Sequence, residues 1–137
     1  MKNGKMILLI CVVAVAVLFL VADTTRKEQA DKVNTFTSIS AAEAKEYMDS
    51  EENYIILDVR TQEEYDTGYI PGAILIPDYE ITERADKELP DKDQRILVYC
   101  RSGNRSKKAS ATLVEMGYTN IIEFGGINDW PYEIVTD

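Results

Sequence analysis

The sequence predicts an α/β fold built on a central parallel sheet with helices on both faces. Residues 54–59 (YIILDV) and 96–99 (ILVY) form continuous apolar runs of strand length, the pattern of strands buried on both sides rather than on one. Helix-opening signals fall between such runs, and alternating strand and helix patterns imply a parallel sheet with crossover helices. Gly68, Pro90 and Gly117 close successive segments, as expected of residues that end helices.

In chain order, Ser40-Ala-Ala-Glu43 is a capping-box pattern that opens a helix running to about Met48. Its hydroxyl and carboxylate can each satisfy a backbone N–H of the first turn. Residues 54–59 are the first strong strand. Thr61-Gln-Glu-Glu64 repeats the capping box and opens a short helix that Gly68 closes. Residues 73–76 read as a short buried strand, and residues 81–89 as a polar helix stopped by Pro90. The strand at 96–99 follows, with Cys100 expected as the first residue after it. A helix over 105–116 ends at Gly117, and a last strand at 120–124 leads into Gly125-Gly126.

The first 22 residues have another character. Residues 6–22 are an unbroken apolar run preceded by Lys2 and Lys5, the pattern of an export signal. The run is long for a signal core and at the lower limit for a membrane-spanning helix. Cleavage after Ala22 would place bulky Leu20 where a small residue is preferred, while Ala14-Val15-Ala16 lies inside the run. An uncleaved transmembrane anchor and a removed signal peptide both stay open, and either places the domain outside the cytoplasm. Ile10 before Cys11 is not small, which argues against lipidation. Residues 23–34 are polar and read as a tether. The expected organisation is therefore 1–22 signal or anchor, 23–34 tether and 35–137 a single domain. At about 110 residues the part beyond the apolar run is near the common size of one compact domain.

Composition narrows the chemistry. The chain of 137 residues is 45% hydrophobic and 28% charged, ordinary values for a globular protein. A net charge of −9 offers no broad basic surface for nucleic acid. There is no histidine, which removes Cys-His and Ser-His-Asp catalysis and most zinc sites. Of the two cysteines, Cys11 lies in the apolar run and Cys100 stands alone in the domain, so Cys100 is a free thiol.

A lone cysteine is ordinarily an inert core residue, but the neighbours of Cys100 argue otherwise. The segment Cys100-Arg-Ser-Gly-Asn-Arg-Ser106 runs from a strand end into a helix, the position where sites form in parallel sheets. Gly103 permits a tight curve, and Asn104 tolerates left-handed dihedrals. Such a curve turns successive N–H groups inward, and the helix dipole adds to the anion-binding field. A thiol at its rim is expected to have a depressed pKa. Residues 94–114 hold five cations and no acid, so this segment carries +5 in a chain of net −9. Lys107 and Lys108 fit a solvated helix face. Arg101 and Arg105, inside the loop, point to a small anionic ligand.

Over roughly residues 35–135 the sequence resembles the rhodanese family. The matching residues are Leu57-Asp-Val-Arg60, Glu64-Tyr65, Gly68-Tyr-Ile-Pro-Gly-Ala73, Val98-Tyr-Cys-Arg-Ser-Gly-Asn-Arg-Ser106, and Gly125-Gly126 followed by Trp130. Tyr69 stands where that family usually has histidine, at a position understood as structural. The resemblance implies a rhodanese-like fold and a thiosulfate sulfurtransferase. Catalytic Cys100 would take sulfur from a small anionic donor such as thiosulfate, hold it as a persulfide, and deliver it to cyanide or another thiophilic acceptor. Loop N–H groups over residues 101–105 (Arg101, Ser102, Gly103, Asn104, Arg105) would cradle that sulfur. The Arg101 and Arg105 side chains would attract the donor and help sulfite depart. Asp58, Arg60 and Ser106 would support the loop. No metal or organic cofactor is required, and a monomer is expected.

Two other readings stay in view. Tyrosine and dual-specificity phosphatases also use a cysteine–arginine cradle, but with five residues between the two. Four separate Cys100 from Arg105, and a loop shorter by one residue encircles a sulfur atom but crowds a tetrahedral phosphate. A non-catalytic persulfide carrier would show the same residues. The absence of a Cys-x-x-Cys pair argues against a thiol–disulfide oxidoreductase.

Overall fold

The computed structural model describes residues 35–137. The apolar run, Cys11 and the tether lie outside the described residues. Among the described residues no helix is long and apolar enough to cross a membrane.

The strands are β1 (Thr37–Ser38), β2 (Tyr54–Asp58), β3 (Ile74–Leu75), β4 (Arg95–Cys100) and β5 (Ile121–Gly126). The helices are α1 (Ala41–Ser50), α2 (Gln62–Asp66), α3 (Ile81–Glu88) and α4 (Asn104–Glu115), with 3-10 turns at Asp78–Glu80 and Ile127–Asp129. The five strands form one parallel sheet in the order β1-β5-β4-β2-β3. Its centre is the β2–β4 ladder, in which Ile55 faces Ile96 and Leu57 faces Val98.

The side-chain alternation of strands divides the core between the two faces. Leu57, Val59, Ile96, Val98 and Ile121 point toward α3 and α4, where they meet Ile81, Ala85, Ala109 and Leu113. Ile56, Leu97, Tyr99 and Phe124 point the other way, toward Ala44 of α1 and Trp130. Each such side chain taken from water contributes about 1.5–3 kcal/mol, so a doubly covered strand gains on both sides. The same alternation puts Cys100 on the α3/α4 face.

Local signals set the helix ends. Ser40 and Thr61 each accept from the N3 backbone while Glu43 and Glu64 reach back to the cap N–H, completing both capping boxes. A cap of this kind is worth about 1 kcal/mol. At the end of α4, Gly117 N–H bonds Val114 O and Tyr118 N–H bonds Leu113 O, the paired closure of a Schellman motif.

Several sequence expectations are corrected. Residues 73–76 shrink to the two-residue β3, an edge strand whose Ile74 is exposed, because its other side has no partner strand. Cys100 is the last residue of β4 rather than the first after it, because pairing opposite Gly126 extends the ladder to it. Asn104 is not left-handed. It is the first residue of α4, and Gly103 alone takes the left-handed turn at φ 100°. β1 adds a polar, exposed strand that the apolar pattern does not announce.

Candidate functional site

The site is assembled at the carboxyl end of the sheet by an irregularity between β4 and β5. Val98 pairs with Glu123, but Cys100 pairs with Gly126, so β5 carries one extra residue over this interval. Such bulges re-aim the chain beside functional sites. Here it lays the Arg101–Ser102 backbone directly on Gly126. A Cβ at Gly126 would lie 2.1 Å from Arg101 O and 2.5 Å from Ser102 N, and Asn128 N–H bonds Arg101 O at 3.1 Å. The loop is thereby clamped from below.

From that platform the chain turns at Gly103 and enters α4, whose amino terminus points back at Cys100. The Gly103 N–H donates to the Cys100 sulfur at 3.0 Å. The thiol in turn faces Ser106 Oγ at 3.5 Å. Cys100 is only 1% exposed, and burial by itself pushes its pKa up. The backbone N–H groups of Ser106, Gly103 and Ser102 favour the thiolate, and the thiol lies below its ordinary value. The four residues between Cys100 and Arg105 form a short turn whose N–H groups face the Cys100 sulfur.

The two loop arginines differ. Arg105 forms a bidentate pair with Glu64 at 2.7 and 2.8 Å, with Asp78 also in its field. That pairing holds the Glu64 carboxyl down to about 2. Arg105 is thus a tie between α4 and α2. Arg101 is exposed and, among the described residues, makes no ion pair. It borders a cleft of about 380 Å³ lined also by Glu63, Thr67, Ile127 and Asn128.

Asp58 and Arg60 sit one layer behind, both buried. Arg60 Nη2 donates to Asp58 Oδ2 at 2.7 Å and to Gly68 O at 2.7 Å, while Nη1 reaches Glu64 O at 3.2 Å. A buried ion pair persists only when its remaining donors are satisfied, and here they are spent on the backbone around α2. This holds the end of β2 against the helix that carries Glu64. Tyr69 is peripheral. It stacks on Tyr65 with ring centroids 4.1 Å apart, pairs with Val135 and donates to Asp137.

Two residues of the site escape sequence reading. Glu64 is legible as a helix cap but not as the partner of Arg105. Glu123 is buried in β5 and accepts from Ser106 Oγ at 2.7 Å, Gly125 N–H at 2.8 Å and Ser38 Oγ at 2.9 Å. The available signal for Glu123 is a single carboxylate inside the apolar run IIEF, which a strand covered on both faces cannot expose to water.

Comparison with known proteins agrees with this architecture. The family model of the rhodanese-like domain matches residues 40–132. The thiosulfate sulfurtransferase PspE of Escherichia coli (strain K12) is 42% identical over 73 residues, covering 53% of this chain and 70% of that protein. A sulfurtransferase of Allochromatium vinosum is 40% identical over 80 residues, 58% of this chain and 73% of that one. Among solved structures, a rhodanese with anions from E. coli superposes with a TM-score of 0.58 at 38% identity, covering 61% of this chain and 99% of that one.

Proposed function

This chain belongs to the rhodanese family and is a sulfurtransferase, and we propose that it moves a sulfane sulfur from thiosulfate or a similar anionic donor, through a persulfide on Cys100, to cyanide or another thiophilic acceptor. The observation that carries this reading is the Gly103 N–H donating to the Cys100 sulfur at 3.0 Å, inside a turn whose other N–H groups also favour negative charge there.

In the first half-reaction the Cys100 thiolate attacks the outer sulfur of the donor. The donor S–S bond breaks, and sulfite leaves with the bonding electron pair. The new terminal sulfur carries the negative charge. It takes the place for which the Ser102 and Gly103 N–H groups are suited, because fixed dipoles stabilise charge without reorganising. Arg101, which makes no ion pair among the described residues, supplies the cation that draws the dianionic donor to the mouth. In the second half-reaction the acceptor's lone pair attacks the outer sulfur and Cys100 departs as thiolate. The only other cysteine is Cys11, so an external acceptor discharges the persulfide.

The test is thiosulfate treatment followed by mass spectrometry of the Cys100 peptide, then addition of cyanide. Gain of one sulfur atom, its loss to cyanide as thiocyanate, and absence of both in Cys100→Ser are the expected results. Loading without release to small acceptors would favour a carrier. No loading would sink the reading.

A further inference from the structure

The mechanism above leaves unused a buried charge directly beneath the loop. Glu123 is 2% exposed and lies on the α3/α4 face of β5, the face that also carries Cys100. Its contacts are all from donors: the Ser38 hydroxyl from β1, the Ser106 hydroxyl from α4, and Gly125 N–H from its own strand. An ionised carboxylate is an acceptor only, and three donors with no competing acceptor describe that form. No lysine or arginine among the described residues pairs with it. The charged group facing the thiol from α4 is Arg105, which is itself turned onto Glu64 with Asp78 nearby.

The Ser106 hydroxyl has one proton and several claimants. Glu123 Oε1 is nearest at 2.7 Å, Gly103 O lies at 3.0 Å and Gly125 O at 3.2 Å. The Cys100 sulfur is farther, at 3.5 Å, and there it stands as the donor. A charged acceptor at the shortest distance holds the proton most strongly. Ser106 therefore turns a lone pair, not its hydrogen, toward the sulfur. A Cys100 thiolate can recruit this hydroxyl only by taking it from Glu123.

We infer that Glu123 is a positioning residue that sets the reactivity of the sulfur: by claiming the Ser106 proton it denies the Cys100 thiolate a hydroxyl donor, making the sulfur a stronger nucleophile and a slower leaving group. The first property favours attack on the donor. The second slows the step in which the S–S electrons return to Cys100, so the persulfide is held longer before an acceptor takes its outer sulfur. The consequence for discharge rests on the persulfide reading above, whereas the effect on the thiol does not.

The experiment compares the full chain with Glu123→Gln, Ser106→Ala and the double variant. Iodoacetamide alkylation is followed at the Cys100 peptide across pH. With a neutral amide at 123 the thiolate becomes the only charged claimant, and the apparent thiol pKa falls by about one unit, the difference between a charge-assisted and a neutral hydrogen bond. Ser106→Ala alone leaves it in place, and adding Ser106→Ala to Glu123→Gln abolishes the fall. Discharge of preformed persulfide by cyanide quickens about threefold in Glu123→Gln, as expected for a leaving thiolate one unit more acidic. A purely structural role gives the opposite sign, since a loosened loop withdraws N–H groups and raises the thiol pKa. An unchanged or raised value in Glu123→Gln overturns the inference. If that variant does not fold, Ser106→Ala decides alone, because a rise of about one unit means the hydroxyl was serving the thiolate. Iodoacetamide reads the thiol whether or not sulfur is transferred, so failure here and failure of the persulfide reading are separate results.

Discussion

Replacing Gly126 by alanine tests the clamp beneath the loop. Gly126 has extended backbone, φ −138° and ψ 159°, which alanine adopts without strain, so the perturbation is purely one of space. The added Cβ would meet Arg101 O at 2.1 Å, Arg101 C at 2.3 Å and Ser102 N at 2.5 Å. All three are backbone atoms, and none can rotate away. Relief requires the loop to rise by about 1 Å to reach ordinary packing distance. That movement breaks the Asn128–Arg101 bond and draws the Ser102 and Gly103 N–H groups off the sulfur. One hydrogen bond to a charged group is worth about 1.5–3 kcal/mol, so the thiol pKa should rise by about 1–2 units. Sulfur transfer should fall on the order of 100-fold, the usual scale for a 1 Å misplacement. Overpacking should cost about 1–3 kcal/mol of stability. Alkylation of the Cys100 peptide across pH, thermal unfolding and thiocyanate formation read the three effects. Gly125→Ala is the control: its φ of 91° strains alanine, but a Cβ there meets nothing within 4 Å, so stability falls by about 1–2 kcal/mol with little change at the thiol. A Gly126→Ala protein with wild-type thiol pKa and turnover would refute the clamp.

The two arginines should separate kinetically. Arg101→Ala should raise KM for thiosulfate about tenfold with kcat nearly unchanged, because it removes uniform binding of the anion, whereas Arg105→Ala should lower thermal stability by about 1 kcal/mol and affect KM less; equal KM effects would restore Arg105 as an anion receptor. The Glu64–Arg105 pair should show itself in acid. The folded pKa of Glu64 lies at about 2 against an ordinary 4.5, a lowered value, so its stabilisation is complete above the unfolded value and is lost as pH falls from about 4.5 toward 2. Glu64→Gln should therefore be less stable than wild type by about 1–2 kcal/mol at pH 7, discounted for a partly exposed pair, and the difference should vanish near pH 2; a constant difference in thermal unfolding across that range would count against the pair.

What was legible in the residues was what is local along the chain. Ser40 with Glu43, and Thr61 with Glu64, are three residues apart, and both capping boxes form as read. The strands at 54–58 and 95–100 announce themselves by apolar runs, because a central parallel strand must be buried on both faces. β1 did not, because Thr37–Ser38 is polar and exposed and exists only through its ladder to β5. β3 reads as buried in the sequence because two apolar residues look alike at the edge and the centre of a sheet. The same rule divides the site. Cys100, Gly103 and Ser106 lie within one contiguous loop, so their closeness around one sulfur follows from short spacing along the chain. Glu64 meets Arg105 across 41 positions, and Ser38 meets Glu123 across 85. Pairs so distant carry no periodic or spacing signal, so Arg105 looked free and Glu123 looked ordinary.

These distant pairs change how the loop should be understood electrically. Counted along the sequence, the segment is a basic island, and a low thiol pKa would be credited to its cations. In the fold, Arg105 is spent on Glu64, Lys107 and Lys108 are exposed to solvent, and a buried carboxylate stands behind Ser106. Net positive charge at the sulfur is therefore small. The work falls instead to neutral dipoles, the N–H groups of Ser102, Gly103 and Ser106, whose positions follow from Gly103 at the turn and Gly126 beneath it. With no histidine anywhere in the chain, no imidazolium can supplement them. In the proposed transfer, capture of an anionic donor and stabilisation of sulfur charge thus belong to different groups: the former to Arg101 at the mouth, the latter to backbone held by a glycine that contributes no side chain at all.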